Sequence, residues 1–283
     1  MSASEQIGDG AVRKTRRMER QHIRYEVTNP VAVITLNRPE VLNAFHYPML
    51  EEIRAAVEEA TADPAVVGIV ITGEGRGFCA GLDASVLAAT TQGTAGDAPA
   101  VADDELPGLF NYLMQQPKPI IAAVNGVAAG GGFLLAAMCD LRFASTGATL
   151  ISIFTKRGLI AEHGLTWLLP RQIGIGAALD VLWSSRKIGA DEALRLGLVQ
   201  QVVAPDELLD TTRAYVADLA ANVAPKAIAE TKRLVYAHGG EAMRAALVEA
   251  SQATIAAVGR PDAREGAAAL VEKRAPKFER VGT

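Results

Sequence analysis

Apolar and polar residues alternate with period two over residues 23–28 and 31–36, and Asn29-Pro30 breaks the alternation with a turn signal, so the chain opens on a predicted β-hairpin. Residues 48–62 follow helical spacing and predict an amphipathic helix, and 66–72, Val-Val-Gly-Ile-Val-Ile-Thr, reads as a buried strand. Residues 84–105 are rich in Ala, Thr, Gly and Asp without a clear period and read as a mobile loop, a candidate lid. Helical spacing resumes over 106–115, and 119–124 is a strand. A run of small residues then leads into another apolar helix. Two further strands are expected at 141–144 and 149–153, completing a repeated strand-strand-helix pattern, and from Gly174 onward the spacing is almost wholly helical.

The run Asn125-Gly-Val-Ala-Ala-Gly-Gly-Gly-Phe-Leu-Leu-Ala-Ala-Met-Cys-Asp140 is the most informative. Three glycines stand where a strand-like segment gives way to a helix. The first turn of a helix leaves N–H donors unpaired at the positive end of its dipole, and glycine lets another group approach them. Such a turn is either a close-packed strand-to-helix connection or a place where a developing oxyanion is stabilised. A second segment ending in small residues, Gly75-Arg-Gly-Phe-Cys-Ala-Gly-Leu-Asp83, follows the strand at 66–72.

At 283 residues the chain suits one large α/β domain, or a core domain with a smaller helical appendage. Hydrophobic residues at 49% and charged residues at 21% exclude a disordered chain, and a formal charge of −4 argues against nucleic acid as a partner. Only Cys79 and Cys139 are present, both in apolar motifs, so a disulfide framework is not expected and a reducing compartment is. No apolar run reaches the length of a membrane span, and the N-terminus has no apolar signal core, which makes a cytoplasmic location the expectation. Residues 1–21 are polar, with Arg13, Lys14, Arg16, Arg17 and Arg20 clustered, and read as a disordered basic tail. No histidine and cysteine spacing suggests a metal.

Taken together and in order, the two glycine-bearing segments, Asn37-Arg-Pro-Glu-Val-Leu-Asn-Ala44 and the late Glu272-Lys-Arg-Ala-Pro-Lys-Phe278 resemble the crotonase superfamily, the enoyl-CoA hydratase/isomerase enzymes, from about Tyr25 to the C-terminus. The resemblance implies an α/β fold, a spiral of repeated ββα units over 22–204 carrying the acyl-CoA site, and a C-terminal helical region, 205–283, that packs between subunits of a homotrimer, often paired as a homohexamer. It implies a coenzyme A thioester substrate, no prosthetic group, and an oxyanion hole whose N–H donors are Ala80 and Gly131. Coenzyme A is expected against Arg38, Val41, Ala44, Phe78, Ala80 and Leu82, with Lys273 or Lys277 supplied by a neighbouring subunit. Many relatives have lysine where this chain has Glu40, which removes one expected phosphate contact.

Hydratases of the family carry two glutamates, and the matching positions here hold Leu134 and Phe154. Adding water needs a group to position and deprotonate it and another to protonate the α-carbon, so the hydratase reading loses both its acids. One carboxylate stands near: Gly158-Leu-Ile-Ala-Glu-His-Gly-Leu-Thr166 resembles the dienoyl-CoA isomerase branch, whose proton-shuttling aspartate falls at Glu162. Apolar neighbours would raise its pKa toward neutrality. The alternative role for Glu162 is a helix cap. His163 is a candidate partner acid or base, or a residue that orients the loop through its backbone contacts, and His46 is read as a capping or solvated residue. The expected activity is Glu162-mediated movement of a double bond in an acyl-CoA. The alternatives are an enoyl-CoA hydratase using Glu162 and His163, and a non-catalytic acyl-CoA-binding protein. A Clp-type serine peptidase, which shares the spiral, would need its nucleophile at Gly130 and has none there.

Overall fold

The computed structural model describes residues 20–91, 106–237, 244, 247–248, 251–252, 254–256 and 258–274. The expected hairpin is β1 (Ile23–Thr28) and β2 (Val31–Leu36), paired antiparallel from Ile23 opposite Leu36 to Thr28 opposite Val31. Helix α1 (Tyr47–Ala62) follows, and His46 caps it: its Nδ1 accepts the Met49 N–H at 3.2 Å. Next come β3 (Gly68–Gly73) and β4 (Gly77–Cys79), then β5 (Ile120–Val124) and β6 (Val127–Ala129), then β7 (Leu141–Ser145) and β8 (Thr149–Ile151). Each pair gives its first strand to one sheet and its second to another. With the later strands β9 (Ile188–Gly189) and β10 (Gln201–Val203), the six-stranded sheet runs β1-β2-β3-β5-β7-β10, and the four-stranded sheet runs β4-β6-β8-β9. The parallel neighbours β3, β5 and β7 stack beside the parallel neighbours β4, β6 and β8, which is the spiral of ββ units expected. The six-stranded sheet is apolar on both faces, as in sheets with parallel crossovers: Ile69, Ile71, Ile120 and Ala122 pack into the main core, and Val70, Ile121 and Ala123 into a second cluster under the later helices.

Two sequence readings are corrected. Residues Ala84–Thr91 form helix α2, not loop; Asp83 starts it, its Oδ1 accepting the Ser85 N–H at 3.1 Å and the Ser85 hydroxyl at 2.8 Å. An Ala- and Thr-rich helix with an apolar average has no contrasting faces, so periodicity could not reveal it. The remainder of the candidate lid, 92–105, lies outside the described residues, as does the basic tail up to residue 19. In the expected helix at 106–115 only α3 (Tyr112–Gln115) is helical, because Pro107 and Gly108, at φ 132°, hold the chain out of helical conformation.

Helix α4 (Gly131–Met138) starts the site. Its far end is closed by the buried Arg142, whose guanidinium donates to Cys139 O at 2.9 Å, Ala137 O at 3.3 Å and Leu198 O at 2.5 Å. Then come α5 (Leu165–Ile173), α6 (Ile175–Ser184), β9 (Ile188–Gly189), α7 (Ala190–Leu196), β10 (Gln201–Val203), α8 (Leu208–Asn222), α9 (Pro225–Ala237) and α10 (Pro261–Val271). The stretch after Gly174 is therefore less uniformly helical than its spacing predicts, since β9 and β10 extend both sheets. Asp140 anchors α9, taking Lys232 Nζ at 2.7 Å, the Tyr236 hydroxyl at 3.0 Å and the Ile120 N–H at 2.8 Å. No helix among the described residues is long and apolar enough to cross a membrane.

The glycine turn is packed backbone against backbone. Gly130 has φ 52° and ψ −117°, a conformation that side chains disfavour, and a Cβ placed on Gly132 would lie 1.9 Å from the Cys79 carbonyl oxygen on β4. Gly132→Ala is therefore expected to lower unfolding free energy by at least about 1–3 kcal/mol; urea denaturation of the two proteins checks it.

Candidate active site

The segment after β4 runs beside the end of the 37–44 loop. The Phe45 N–H donates to Gly81 O and the Asp83 N–H donates to Phe45 O, both at 2.8 Å, forming a parallel bridge between Phe45 and Leu82. In a trans peptide the C=O and the N–H point opposite ways. With the Gly81 carbonyl turned to Phe45, the Leu82 N–H faces away from Phe45 and has no acceptor among the described residues, and Leu82 lines the cavity. The Ala80 N–H, the donor expected from the resemblance, donates instead to Leu42 O at 2.9 Å. Leu42 and Asn43, at φ 53° and 57°, turn that carbonyl under the end of β4. Ala80 thus lines the cavity but its N–H is already satisfied.

Across the cavity stands the glycine turn. The Gly130 carbonyl accepts the Leu134 N–H at 2.9 Å within α4, so the Gly131 N–H points out of the helix end, and it too has no acceptor among the described residues. The two segments touch: a Cβ on Gly81 would lie 3.0 Å from Gly131 N. Phe45 fixes the other side, its Cζ 2.4 Å from where a Gly131 Cβ would be. Two N–H groups without acceptors among the described residues, one of them at a helix N-terminus, can together hold a developing negative oxygen at this cleft.

The cavity these loops border has a volume of about 490 Å³. Leu134 and Phe154, the positions where hydratases carry glutamate, both line it, and both are buried. Glu162 and His163 form part of its wall and also of a second cavity of about 500 Å³, bounded further by Leu50, Leu109, Leu247 and Ile255. Burial pushes the Glu162 carboxyl up to about 7 and the His163 imidazole down to about 4. The His163 Nε2 lies 3.5 Å from Glu162 Oε2, so near neutral pH the contact joins an uncharged ring to a carboxyl in the middle of its titration. Helix α5 begins at Leu165 with Gly164 as its N-cap and no side-chain cap, so the capping role for Glu162 is not realised. His163, at φ 55°, and Gly164, at φ 93°, make the sharp bend that leaves the Glu162 side chain on the cavity wall.

Of the positions expected to hold coenzyme A, Val41, Ala44, Ala80 and Leu82 line the first cavity. Phe78 does not: its side chain is fully buried in the core beneath β4. Arg38 turns inward, to Asp83 and to the Ala44 carbonyl. Lys273 is exposed just after α10, and Lys277 lies outside the described residues. Sequence reasoning missed Ile153, Arg157 and Leu270, which also line the wall. Leu270 reaches it because α10 packs on the 3-10 turn Thr155–Arg157, where a Cβ on Gly266 would come within 2.4 Å of Arg157 O; a glycine inside an alanine-rich helix was its one local sign. Both thiols are buried and pushed up to about 12 by that burial, which leaves them unreactive. The described residues hold no cluster of three or more metal-binding side chains.

Comparison with known proteins agrees with this architecture. The chain is 38% identical over 256 residues to a probable enoyl-CoA hydratase of Rhodobacter capsulatus, covering 90% of this chain and 97% of that one. It is 34% identical over 260 residues to the 1,2-epoxyphenylacetyl-CoA isomerase of Escherichia coli, covering 89% and 96%. The crystal structure of carnitinyl-CoA hydratase from Mycobacterium avium superposes with a TM-score of 0.80 at 32% identity, over 92% of this chain and 99% of that one. The family model described as enoyl-CoA hydratase/isomerase matches residues 26–281, and with a paired-sheet spiral and two opposed N–H donors at its cleft the chain belongs to the enoyl-CoA hydratase/isomerase family.

Proposed function

We propose that this enzyme moves a double bond along an acyl-CoA by proton transfer through Glu162. The observation that carries the reading is the charge distribution of the cavity: one carboxyl poised near neutrality at Glu162, and apolar side chains at Leu134 and Phe154. The thioester oxygen sits between the N–H groups of Leu82 and Gly131, each contributing roughly 3–4 kcal/mol to an enolate-like transition state. With the oxygen so held, a proton beside the thioester becomes acidic. Glu162 takes it as carboxylate and returns it to another carbon as carboxylic acid, which a pKa near the working pH permits in both directions. Asp83, the other carboxylate at this cavity, is held by Arg38. The acyl chain extends from the first cavity past Glu162 into the second, which sets how long a chain fits.

Hydration is the second reading, favoured by the 3.5 Å approach of His163 to Glu162, which could hold a water between them and the substrate. The test is incubation with 2-enoyl-, 3-enoyl- and dienoyl-CoA thioesters, with products read by mass. Unchanged mass with a moved double bond is the expected result. A gain of one water that depends on Glu162 replaces isomerisation by hydration.

Three outcomes are expected of variants. Glu162→Gln lowers turnover by about 10²–10⁴ while leaving thioester binding in place, measured by steady-state kinetics and equilibrium titration. In the wild-type enzyme kcat/KM rises with pH to a plateau above an apparent pKa of about 7, because the carboxylate is the active form; the neutral His163, titrating only at about 4, adds no limb there. Stability follows the same group with opposite sign. A carboxyl whose folded pKa is raised by burial favours folding below its ordinary value of 4.5, and that contribution is lost as pH rises through about 7. Glu162→Gln, which cannot ionise, should therefore gain in Tm relative to wild type between pH 5 and 8. Finally, Leu109→Trp, at the junction of the cavities, should reduce kcat/KM for eight-carbon substrates by roughly tenfold or more relative to four-carbon ones, a penalty of the size that misfit of a few methylenes brings.

A further inference from the structure

Arg38 stands in the segment where the family resemblance expects contacts to coenzyme A, yet its guanidinium is used inside the protein. Its Nη1 donates to Ala44 O at 2.6 Å and to Asp83 Oδ2 at 3.1 Å, and its Nη2 is also 3.1 Å from Asp83 Oδ2. Both side chains are less than a fifth exposed, at 17% and 18%. The backbone of Arg38 is fixed as well: its N–H donates at 2.9 Å to Oδ1 of the fully buried Asn43, whose amide donates on to Gly77 O at 2.8 Å and Glu74 O at 3.0 Å.

Asp83 is the residue after Leu82, and each of its polar groups is tied to a different element. Oδ1 holds the start of α2 through Ser85, Oδ2 holds Arg38, and its N–H holds Phe45. Phe45 in turn pairs with the Gly81 carbonyl and presses its ring on Gly131. The peptide that carries the Leu82 N–H is therefore clamped on both sides, and the Arg38–Asp83 pair closes the clamp.

We propose that Arg38 is a positioning residue of the oxyanion site, acting through Asp83 to aim the Leu82 N–H at the thioester oxygen. The inference rests on the assignment of Leu82 and Gly131 as the donors. Arginine suits the task because its planar fork reaches a carbonyl and a carboxylate together, where a lysine offers one compact charge. Without the cation a part-buried carboxylate loses its partner and turns to water, and the 82–83 peptide turns with it.

The experiment compares wild type, Arg38→Ala, Arg38→Lys and Asp83→Asn in two measurements that need no turnover. Calorimetric titration reports affinity for free coenzyme A. Difference infrared spectroscopy reports the carbonyl frequency of a bound 2-enoyl-CoA labelled with ¹³C at C1. The expected result is coenzyme A affinity within about twofold of wild type in every variant, with the downshift of the carbonyl band lost in Arg38→Ala and Asp83→Asn and partly kept in Arg38→Lys. Where substrate turns over, kcat should fall about 10- to 100-fold at nearly constant KM, part of the 10²–10³ seen when an oxyanion donor is removed outright. Weakened binding of free coenzyme A with an unchanged carbonyl band would overturn the proposal and make Arg38 a coenzyme ligand. No change in either measurement would overturn it too. If Arg38→Ala does not fold, the lysine and asparagine variants decide between these outcomes. Failure of the isomerase reading is distinguishable, since it would leave the wild-type carbonyl shift intact and the product panel empty.

Discussion

The contact on which the site depends is one of backbone against backbone, where Gly132 at the start of α4 lies on the Cys79 carbonyl at the end of β4 with no room for even a methyl group between them. That approach brings the two strand-to-helix connections of successive spiral units side by side. Once they touch, the orientation of the donors follows from peptide planarity, because the Gly81 and Gly130 carbonyls are spent on Phe45 and Leu134 and the N–H groups across the same peptide bonds must face the other way. The proposed oxyanion site therefore needs no polar side chain. It needs two carbonyls committed elsewhere.

Electrostatics then sorts the ionisable groups around the cleft by what faces them. Asp83 is desolvated, which alone would raise its pKa, but hydrogen bonds from Ser85 and Arg38 more than offset that and hold it below the usual carboxylate range. Glu162 is desolvated with nothing to offset it and stands near neutrality. Two carboxylates at one cavity thus take different parts, one permanently charged and holding the backbone, the other able to change its charge. Leu134 and Phe154, at the positions where hydratases of the family carry glutamate, add apolar wall to the cavity and offer no hydrogen-bond donor that would offset the desolvation of Glu162.

Much of this was legible in the sequence where a residue's role is set by its neighbours in the chain. The hairpin, the strand read at 66–72 and found at Gly68–Gly73, and the glycine turn follow from short-range pattern, and their placement agrees with it; the place of Glu162 was implied by the family resemblance, and its side chain lines the cavity. What escaped was set by partners distant in sequence. Ala80 and Leu82 are equivalent small-loop positions until the Leu42 and Phe45 backbones choose between their N–H groups, some 38 residues away. Phe78 looked like part of a binding loop, but strand alternation sends its side chain into the core. The resemblance sets Arg38 against coenzyme A, and its inward partner Asp83, 45 residues further on, is not visible from the local pattern. Helix α2 was missed for lack of contrast between its faces, and Leu270 because Gly266, the one local sign of close packing in α10, does not say that its partner is Arg157, more than a hundred residues earlier.

The single titrating carboxylate also has a stereochemical meaning. Glu162 lines the cleft, and Leu134 and Phe154, which line it too, carry no group able to give or accept a proton. Under the proposed transfer, an acyl chain held by its thioester oxygen would present one face of its carbon skeleton to Glu162 for both halves. Removal and return on that one face would make the rearrangement suprafacial. With Leu134, Phe154 and Leu159 on the cavity wall, a hydrogen taken from one carbon would be delivered to the other ahead of exchange with solvent, so the product of the proposed reaction would keep a label carried by the migrating hydrogen.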